Sequence, residues 1–282
     1  MLKTVALPLA LILIMLGMGM TLTPADFKRV VLKPKATMVG LVLQLFLLPL
    51  LAFALCTLFR LQGELAVGLL LIASCPGGAT SNMISHLSKG DTALSVSLTA
   101  FSSIITPFTI PLILGAGIHH YLGTESSISL PFLKTLIQLM VVSILPVTLG
   151  MLLHAKFPDK TRRLGKPVNV MSLCFLALIV LVAVLQEEDL LSQFLLAGPA
   201  VLTLNLSTMA MGFGVAALVG LGLRQRITLS IESGIQNGTL ALAIAIGILE
   251  NPPTAIPAVV YSLTMFVSGF AMILGFGRRK SS

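Results

Sequence analysis

Long apolar blocks of about twenty residues alternate along this chain with short polar links, and no other feature constrains the fold as strongly. A helix of that length crosses the ~30 Å hydrocarbon layer of a bilayer. The blocks fall near residues 4–22, 36–59, 64–88, 91–117, 129–154, 166–186, 195–221, 225–249 and 255–277, which gives nine expected transmembrane helices. Only 10% of residues are charged and 56% are hydrophobic, against roughly 25% charged in soluble domains. A soluble enzyme, a disordered chain and a collagen-like chain are thereby excluded. A β-barrel is disfavoured, because its strands read as ~10-residue alternating segments. The fold class expected is an all-α polytopic membrane protein.

Charge placement supports the count. Of the 18 basic residues, all but Lys3, Arg60 and Lys134 lie in one set of alternate connections or at the C-terminus. None falls in mid-membrane. Under the positive-inside rule the C-terminus is cytoplasmic and the N-terminus outside, as in a bacterial inner membrane. The net charge of +8 is therefore a topology signal and not a nucleic-acid footprint. The first block follows Lys3 as a signal peptide would, but it is too long, lacks a small-residue cleavage site and precedes Lys28, Arg29, Lys33 and Lys35. It is kept as a span. Cys56, Cys75 and Cys174 all lie in apolar blocks, where free cysteine packs as a small hydrophobe.

Two blocks are interrupted. The third carries Pro76, Gly77 and Gly78 at its centre, followed by Thr80, Ser81, Asn82 and Ser85. Proline removes a helix donor and clashes with the preceding turn, and glycine adds backbone freedom. The eighth carries Glu232, Ser233, Gln236 and Asn237 between Gly234 and Gly238. Glu232 is the one acidic residue placed inside a span and not at its first residue, and an ionisable group there marks a functional site by default. The two blocks are five apart, so they run in opposite directions across the membrane. Interrupted helices at matching positions of two inverted halves point to a secondary transporter's binding site. Gln44 and Asn205 are mid-membrane amides related by the same offset. Freed N–H groups favour anions and freed carbonyls favour cations. The N–H groups from Ala79 to Ser81 are thus candidate contacts to a substrate carboxylate, with Thr80 and Asn205 beside them. The four histidines, His86, His119, His120 and His154, sit near span ends and are read as interfacial. No cluster of Cys and His has metal-ligand spacing, so no transition metal and no cofactor is expected.

The runs GMGMTLTPADFKRV at 17–30, CPGGATSN at 75–82 and ESGIQNGTLALA at 232–243 resemble the bile acid:sodium symporter family, in its nine-helix form without the extra N-terminal helix. The resemblance implies a sodium-coupled carrier of organic anions with two Na⁺ sites behind crossed broken helices. It implies a first site of Ser81, Asn82, Ser95, Thr99 and Glu232, and a second of Gln44, Glu232, Ser233, Ile235 and Gln236. Asn237 would face the substrate cavity. The central dipeptide Ala79-Thr80 departs from relatives that carry a hydroxyl one residue earlier, which bears on substrate and not on sodium. A panel near 1–31 and 129–190 would rock against a core near 35–120 and 193–278, giving alternating access.

One carboxylate with two Na⁺ leaves a local charge of +1, which a monovalent anion neutralises. The expectation is symport of about two Na⁺ with one monoanion of the bile acid, pantoate or keto acid class, moving one positive charge inward. An efflux carrier of the same architecture, of arsenite or auxin type, is the alternative, with Cys75 beside the break. An intramembrane enzyme lacks a second carboxylate and a nucleophile aligned with a base. A passive channel suits the interrupted helices less well.

Overall fold

The computed structural model describes residues 7–32, 34–123, 130–161, 164, 167, 171, 174 and 190–278. The sixth apolar block, with the acidic link that follows it, lies largely outside the described residues. Helices α1 (Leu7–Gly19) and α2 (Pro24–Leu32) open the described chain. The link between the first two apolar blocks is therefore itself helical. Helix α2 lays Phe27 against Phe101, with ring centroids 5.3 Å apart, and its Asp26 carbonyl accepts from Ser97 Oγ at 2.8 Å. Next come α3 (Pro34–Leu58), α4 (Gly63–Ser74), α5 (Ala79–Leu87), α6 (Thr92–Leu122) and α7 (Phe132–Lys156). After the undescribed stretch follow α8 (Leu190–Leu218), α9 (Leu223–Gly234), α10 (Gly238–Ile248) and α11 (Pro252–Phe276). Among the described residues, five helices are long and apolar enough to cross a membrane, namely α3, α6, α7, α8 and α11. Helices α4 and α10 are apolar but shorter.

Proline shapes two of the long helices. Helix α3 widens into a π-helical turn at Leu43–Leu47 just ahead of Pro49, and α7 does so at Met140–Ile144 ahead of Pro146. A proline ring collides with the carbonyl four residues back. The wide turn, in which Leu48 N–H reaches the Leu43 carbonyl, gives that carbonyl room. The first of these turns carries Gln44, which is buried. A third wide turn, Ile244–Ile248, ends α10.

Side-chain caps begin the helices that follow each interrupted stretch. Asp91 accepts from Leu94 N–H at 3.2 Å ahead of α6, and Asn251 accepts from Thr254 N–H at 3.0 Å ahead of α11. The two stretches are also entered alike. Arg60 (φ 55°) and Gly220 (φ 75°) turn the chain through the left-handed region. The next residue then closes a wide turn in each case, Leu61 N–H on the Cys56 carbonyl at 2.8 Å and Leu221 N–H on the Ala216 carbonyl at 2.9 Å.

Helix α1 packs on α7 through facing glycines. A Cβ on Gly19 would strike the Val147 backbone, and one on Gly150 would strike the backbone of Leu16 and Met20. The other helices pack around a core that includes Leu69, Leu71, Ile72, Ile231, Ile235, Leu242 and Tyr261. Helix α8 packs on α9 and α11, and α4 on α6 and α11. The interrupted stretches therefore sit inside the bundle, where polar side chains are kept from water.

Candidate cation and substrate site

Both stretches lose their helix for a few residues and cross there. Helix α4 stops at Ser74 because the residue before a proline is pushed out of the helical region, and Cys75 is extended at φ −73°, ψ 152°. Gly78, at φ −134°, ψ 178°, leads into α5. In the second stretch, Ile235 is extended at φ −110°, ψ 101°, and Asn237 caps α10 by accepting from Leu240 N–H at 3.0 Å. The extended segments meet as an antiparallel bridge between Gly77 and Gln236. Asn237 N–H donates to the Pro76 carbonyl at 2.8 Å across it.

Beside the crossing lies the Glu232 carboxylate, which is 1% exposed. Its Oε1 is 2.5 Å from Ser95 Oγ and its Oε2 is 3.0 Å from Thr99 Oγ1. Asn82 Oδ1 is 2.8 Å from Ser95 Oγ and 3.4 Å from Thr99 Oγ1. Ser81 donates its proton to the Gly78 carbonyl at 2.8 Å. A Cβ on Gly77 would lie 2.7 Å from Glu232 Oε2, 3.2 Å from Ser81 Oγ and 3.3 Å from Thr99 Oγ1, so the backbone must approach this cluster without a side chain. Each hydroxyl has one proton to give. Ser95 and Thr99 thus offer two protons to three acceptor oxygens already packed around them. The group is rich in lone pairs and poor in protons, the composition a hard cation completes.

A second set of acceptors surrounds the main chain of the same residue, with Gln44 Nε2 also 3.5 Å from Glu232 Oε2. Gln44 Nε2 donates to the Glu232 carbonyl at 2.8 Å, and Gln236 Nε2 donates to the carbonyls of Glu232 at 3.2 Å and Ser233 at 2.9 Å. Both amides are anchored through nitrogen, so their oxygens, Gln44 Oε1 and Gln236 Oε1, are buried without a hydrogen-bond partner. Ser233 Oγ is buried and unpartnered as well. A buried polar atom left unpaired costs ~1–3 kcal/mol.

The residues expected in the first site are thus brought together, and of the second set Gln44, Glu232, Ser233 and Gln236 converge. Ile235 N–H is held by the Ile231 carbonyl at 2.8 Å. Ala79 and Thr80 are half-buried at the start of α5, where no side chain caps the helix. Ser81 N–H is occupied by the Gly78 carbonyl at 3.1 Å, which narrows the uncapped donors to Ala79 and Thr80. Asn237 is buried beside the crossing. Asn205 is fully buried behind the second break, and its Nδ2 donates to the Gly234 carbonyl at 2.7 Å. Tyr261, missed in the sequence, donates to the same carbonyl at 3.0 Å. Its signal was its rarity, since the chain has two tyrosines and this one lies in mid-block. Cys75 and Cys56 are buried free thiols. Of the histidines, His119, His120 and His154 occupy the last turns of α6 and α7, and His86 that of α5.

Comparison with known proteins gives a consistent answer. The sequence model described as the Sodium Bile acid symporter family matches residues 8–194. The chain is 31% identical over 258 residues to an uncharacterized sodium-dependent transporter, YocS, of Bacillus subtilis (strain 168), covering 91% of this chain and 78% of that one. It is 30% identical over 271 residues to a probable sodium/metabolite cotransporter, BASS1, chloroplastic, of Arabidopsis thaliana, covering 95% of this chain and 65% of the relative. It is 32% identical over 241 residues to sodium/bile acid cotransporter 4 of Rattus norvegicus, covering 83% of this chain and 54% of the relative. The chain therefore spans less than two thirds of the length of these plant and rat proteins.

Proposed function

The chain belongs to the sodium bile acid symporter family, and from that premise we propose that it is a sodium-coupled symporter importing a monovalent organic anion by alternating access. The observation that carries this reading is the proton-poor oxygen cluster around Glu232. One Na⁺ is held by Ser81, Asn82, Ser95, Thr99 and Glu232. A second is held by Gln44, Glu232, Gln236 and the carbonyls near Ser233 and Ile235, once the two amides turn their orphaned oxygens toward it. Carboxylate, hydroxyl and amide oxygens are what a hard cation takes as ligands.

The two interrupted stretches serve as the crossed, broken helices of an inverted repeat. Their like entry turns and their antiparallel crossing support that reading. The anion binds where Ala79, Thr80 and Asn237 border the crossing, near the uncapped N-terminus of α5. It is a bile acid, a pantoate-like hydroxy acid or a keto acid. Two Na⁺ against one carboxylate leave a charge of +1 that the monoanion neutralises. Empty, the site would hold Glu232 unneutralised, so ions and anion load together. A panel built on the seam of α1 and α7 rocks against a core containing α3 to α6 and α8 to α11. Nine spans place the C-terminus in the cytoplasm of a bacterial inner membrane.

The test is substrate uptake by proteoliposomes with an inward sodium gradient. Organic anions are first screened by thermal shift with and without Na⁺, since a bound ligand stabilises by mass action. Sodium-dependent uptake with inward current is the expected result. Uptake unchanged in sodium-free buffer would refute the coupling.

A further inference from the structure

When a helix breaks, its last carbonyls lose the N–H donors of the next turn, and each must find another partner or water. At the end of α9 the replacements can be traced one by one. The Ile231 carbonyl still receives Ile235 N–H at 2.8 Å. The Glu232 carbonyl receives Gln44 Nε2 and Gln236 Nε2, and the Ser233 carbonyl receives Gln236 Nε2. Asn237 N–H, which a continuous helix would deliver to Ser233, goes to Pro76 instead. Gly238 N–H, which would have reached Gly234, turns back to the Gln236 carbonyl at 3.0 Å.

The Gly234 carbonyl is treated differently from its neighbours. Its donors come from two other helices: Asn205 Nδ2 on α8 at 2.7 Å and Tyr261 hydroxyl on α11 at 3.0 Å. Both side chains are fully buried. Each donates to this carbonyl and not to the Glu232 carboxylate, and Asn205 Oδ1 is itself buried without a hydrogen-bond partner. Together they take up both lone pairs of this carbonyl with groups fixed on two other helices, while the donors at the Glu232 and Ser233 carbonyls are the amide ends of Gln44 and Gln236, whose oxygens have no partner. Gly234 also sits tightly against Met209 of α8, so the end of α9 is fixed from two sides.

We propose that Tyr261 and Asn205 are positioning residues that clamp the Gly234 carbonyl and so hold α9 open, aiming the Glu232–Ile235 segment at the second sodium ion. This rests on the sodium reading above and extends it to two residues that do not themselves ligand the ion. Without the clamp, the Gly234 carbonyl can recapture Gly238 N–H, the helix can heal across 235–237, and the carbonyls that face the ion turn into helix bonds.

The experiment measures sodium-concentration dependence in the purified full-length protein, by thermal shift with NaCl against an equal concentration of choline chloride. Tyr261→Phe keeps the ring in its packed site and deletes one donor. It should raise the sodium midpoint roughly 3- to 10-fold, the size expected for one hydrogen bond, with melting in choline nearly unchanged. Asn205→Ala should do the same. The double variant should shift the midpoint by more than the sum of the two logarithmic shifts, because either donor alone still partners the carbonyl. A merely structural role would lower melting equally in both salts and leave the midpoint in place. Wild-type midpoints in both folded variants overturn the clamp and leave the sodium reading standing. If the wild type itself shows no sodium-specific shift, the sodium reading fails first. Should Asn205→Ala not fold, Tyr261→Phe decides alone.

Discussion

Ser95 Oγ lies 2.5 Å from Glu232 Oε1, and the two residues come from different helices 137 positions apart in sequence. The hydroxyl is also in contact with Asn82. It therefore stands between a carboxylate and an amide oxygen with one proton to share. That shortage defines the site more sharply than the presence of the acid alone. The two hydroxyls that donate to this carboxylate are also within reach of the Asn82 amide oxygen, and Gln44 Nε2 adds only a long contact at 3.5 Å.

Replacing the acid tests this directly. Glu232→Gln keeps shape and nearly all packing but removes the charge and half of the acceptor capacity at the side chain. The protein should fold and melt normally in choline. Its thermal stabilisation by Na⁺ should be lost, with no response at concentrations that saturate the wild type. A normal sodium response would take Glu232 out of the site.

Ser95→Ala removes one oxygen from the same cluster without disturbing its backbone. Hydrogen bonds and ion contacts to charged groups are worth ~1.5–3 kcal/mol, so the sodium midpoint should rise about 10-fold or more. Titrating Na⁺ against melting temperature checks the shift. An unmoved midpoint means that Ser95 only caps the carboxylate.

Gly77→Ala adds a methyl where Glu232 Oε2 would be 2.7 Å away. The carboxylate has to move, and sodium-dependent uptake should fall at least 10-fold through loss of positioning. Gly78→Ala serves as the control, because a Cβ there meets only Asn237 Cβ at 4.0 Å. Equal effects at the two glycines would argue for general backbone strain and against crowding of the acid.

Gly150→Leu acts at the seam of α1 and α7, which contributes no residue to the oxygen cluster. Its side chain would run into the backbone of Leu16 and Met20. Overpacking of this kind costs ~1–3 kcal/mol, so melting should drop by several degrees in either salt. The sodium midpoint of the folded fraction should stay put; a shift there would link the seam to the ion sites.

Much of this arrangement was visible in the sequence for reasons that can be named. Of the nine expected spans, five appear among the described residues as helices long and apolar enough to cross a membrane, because bilayer thickness sets a length that few other constraints imitate. Pro76 with two glycines announced its interruption through backbone chemistry alone. Glu232 stood out as the acid inside an apolar block. The second interruption is harder to place: glycines flank it at 234 and 238, while the non-helical residues are 235–237, held by a partner segment about 160 positions away. Helix α2 falls in an expected link because Lys28 and Arg29 lie there, and Phe27 packs it against Phe101. Asn205 is expected beside the substrate, and the structure adds its hydrogen bond to the Gly234 carbonyl. Its direction depends on how α8 is rotated against α9, which no local pattern encodes. Tyr261 is marked in the sequence only by the rarity of tyrosine, since its one polar atom matters only beside a carbonyl from another helix.

The contact that joins the two extended segments, Asn237 N–H to the Pro76 carbonyl, is made by main-chain atoms alone. Side-chain replacement at either residue leaves both atoms in place, proline at 237 excepted. Sequence drift can therefore rework the surrounding pocket for new cargo while this brace persists, and substrate preference can diverge without redesign of the ion machinery.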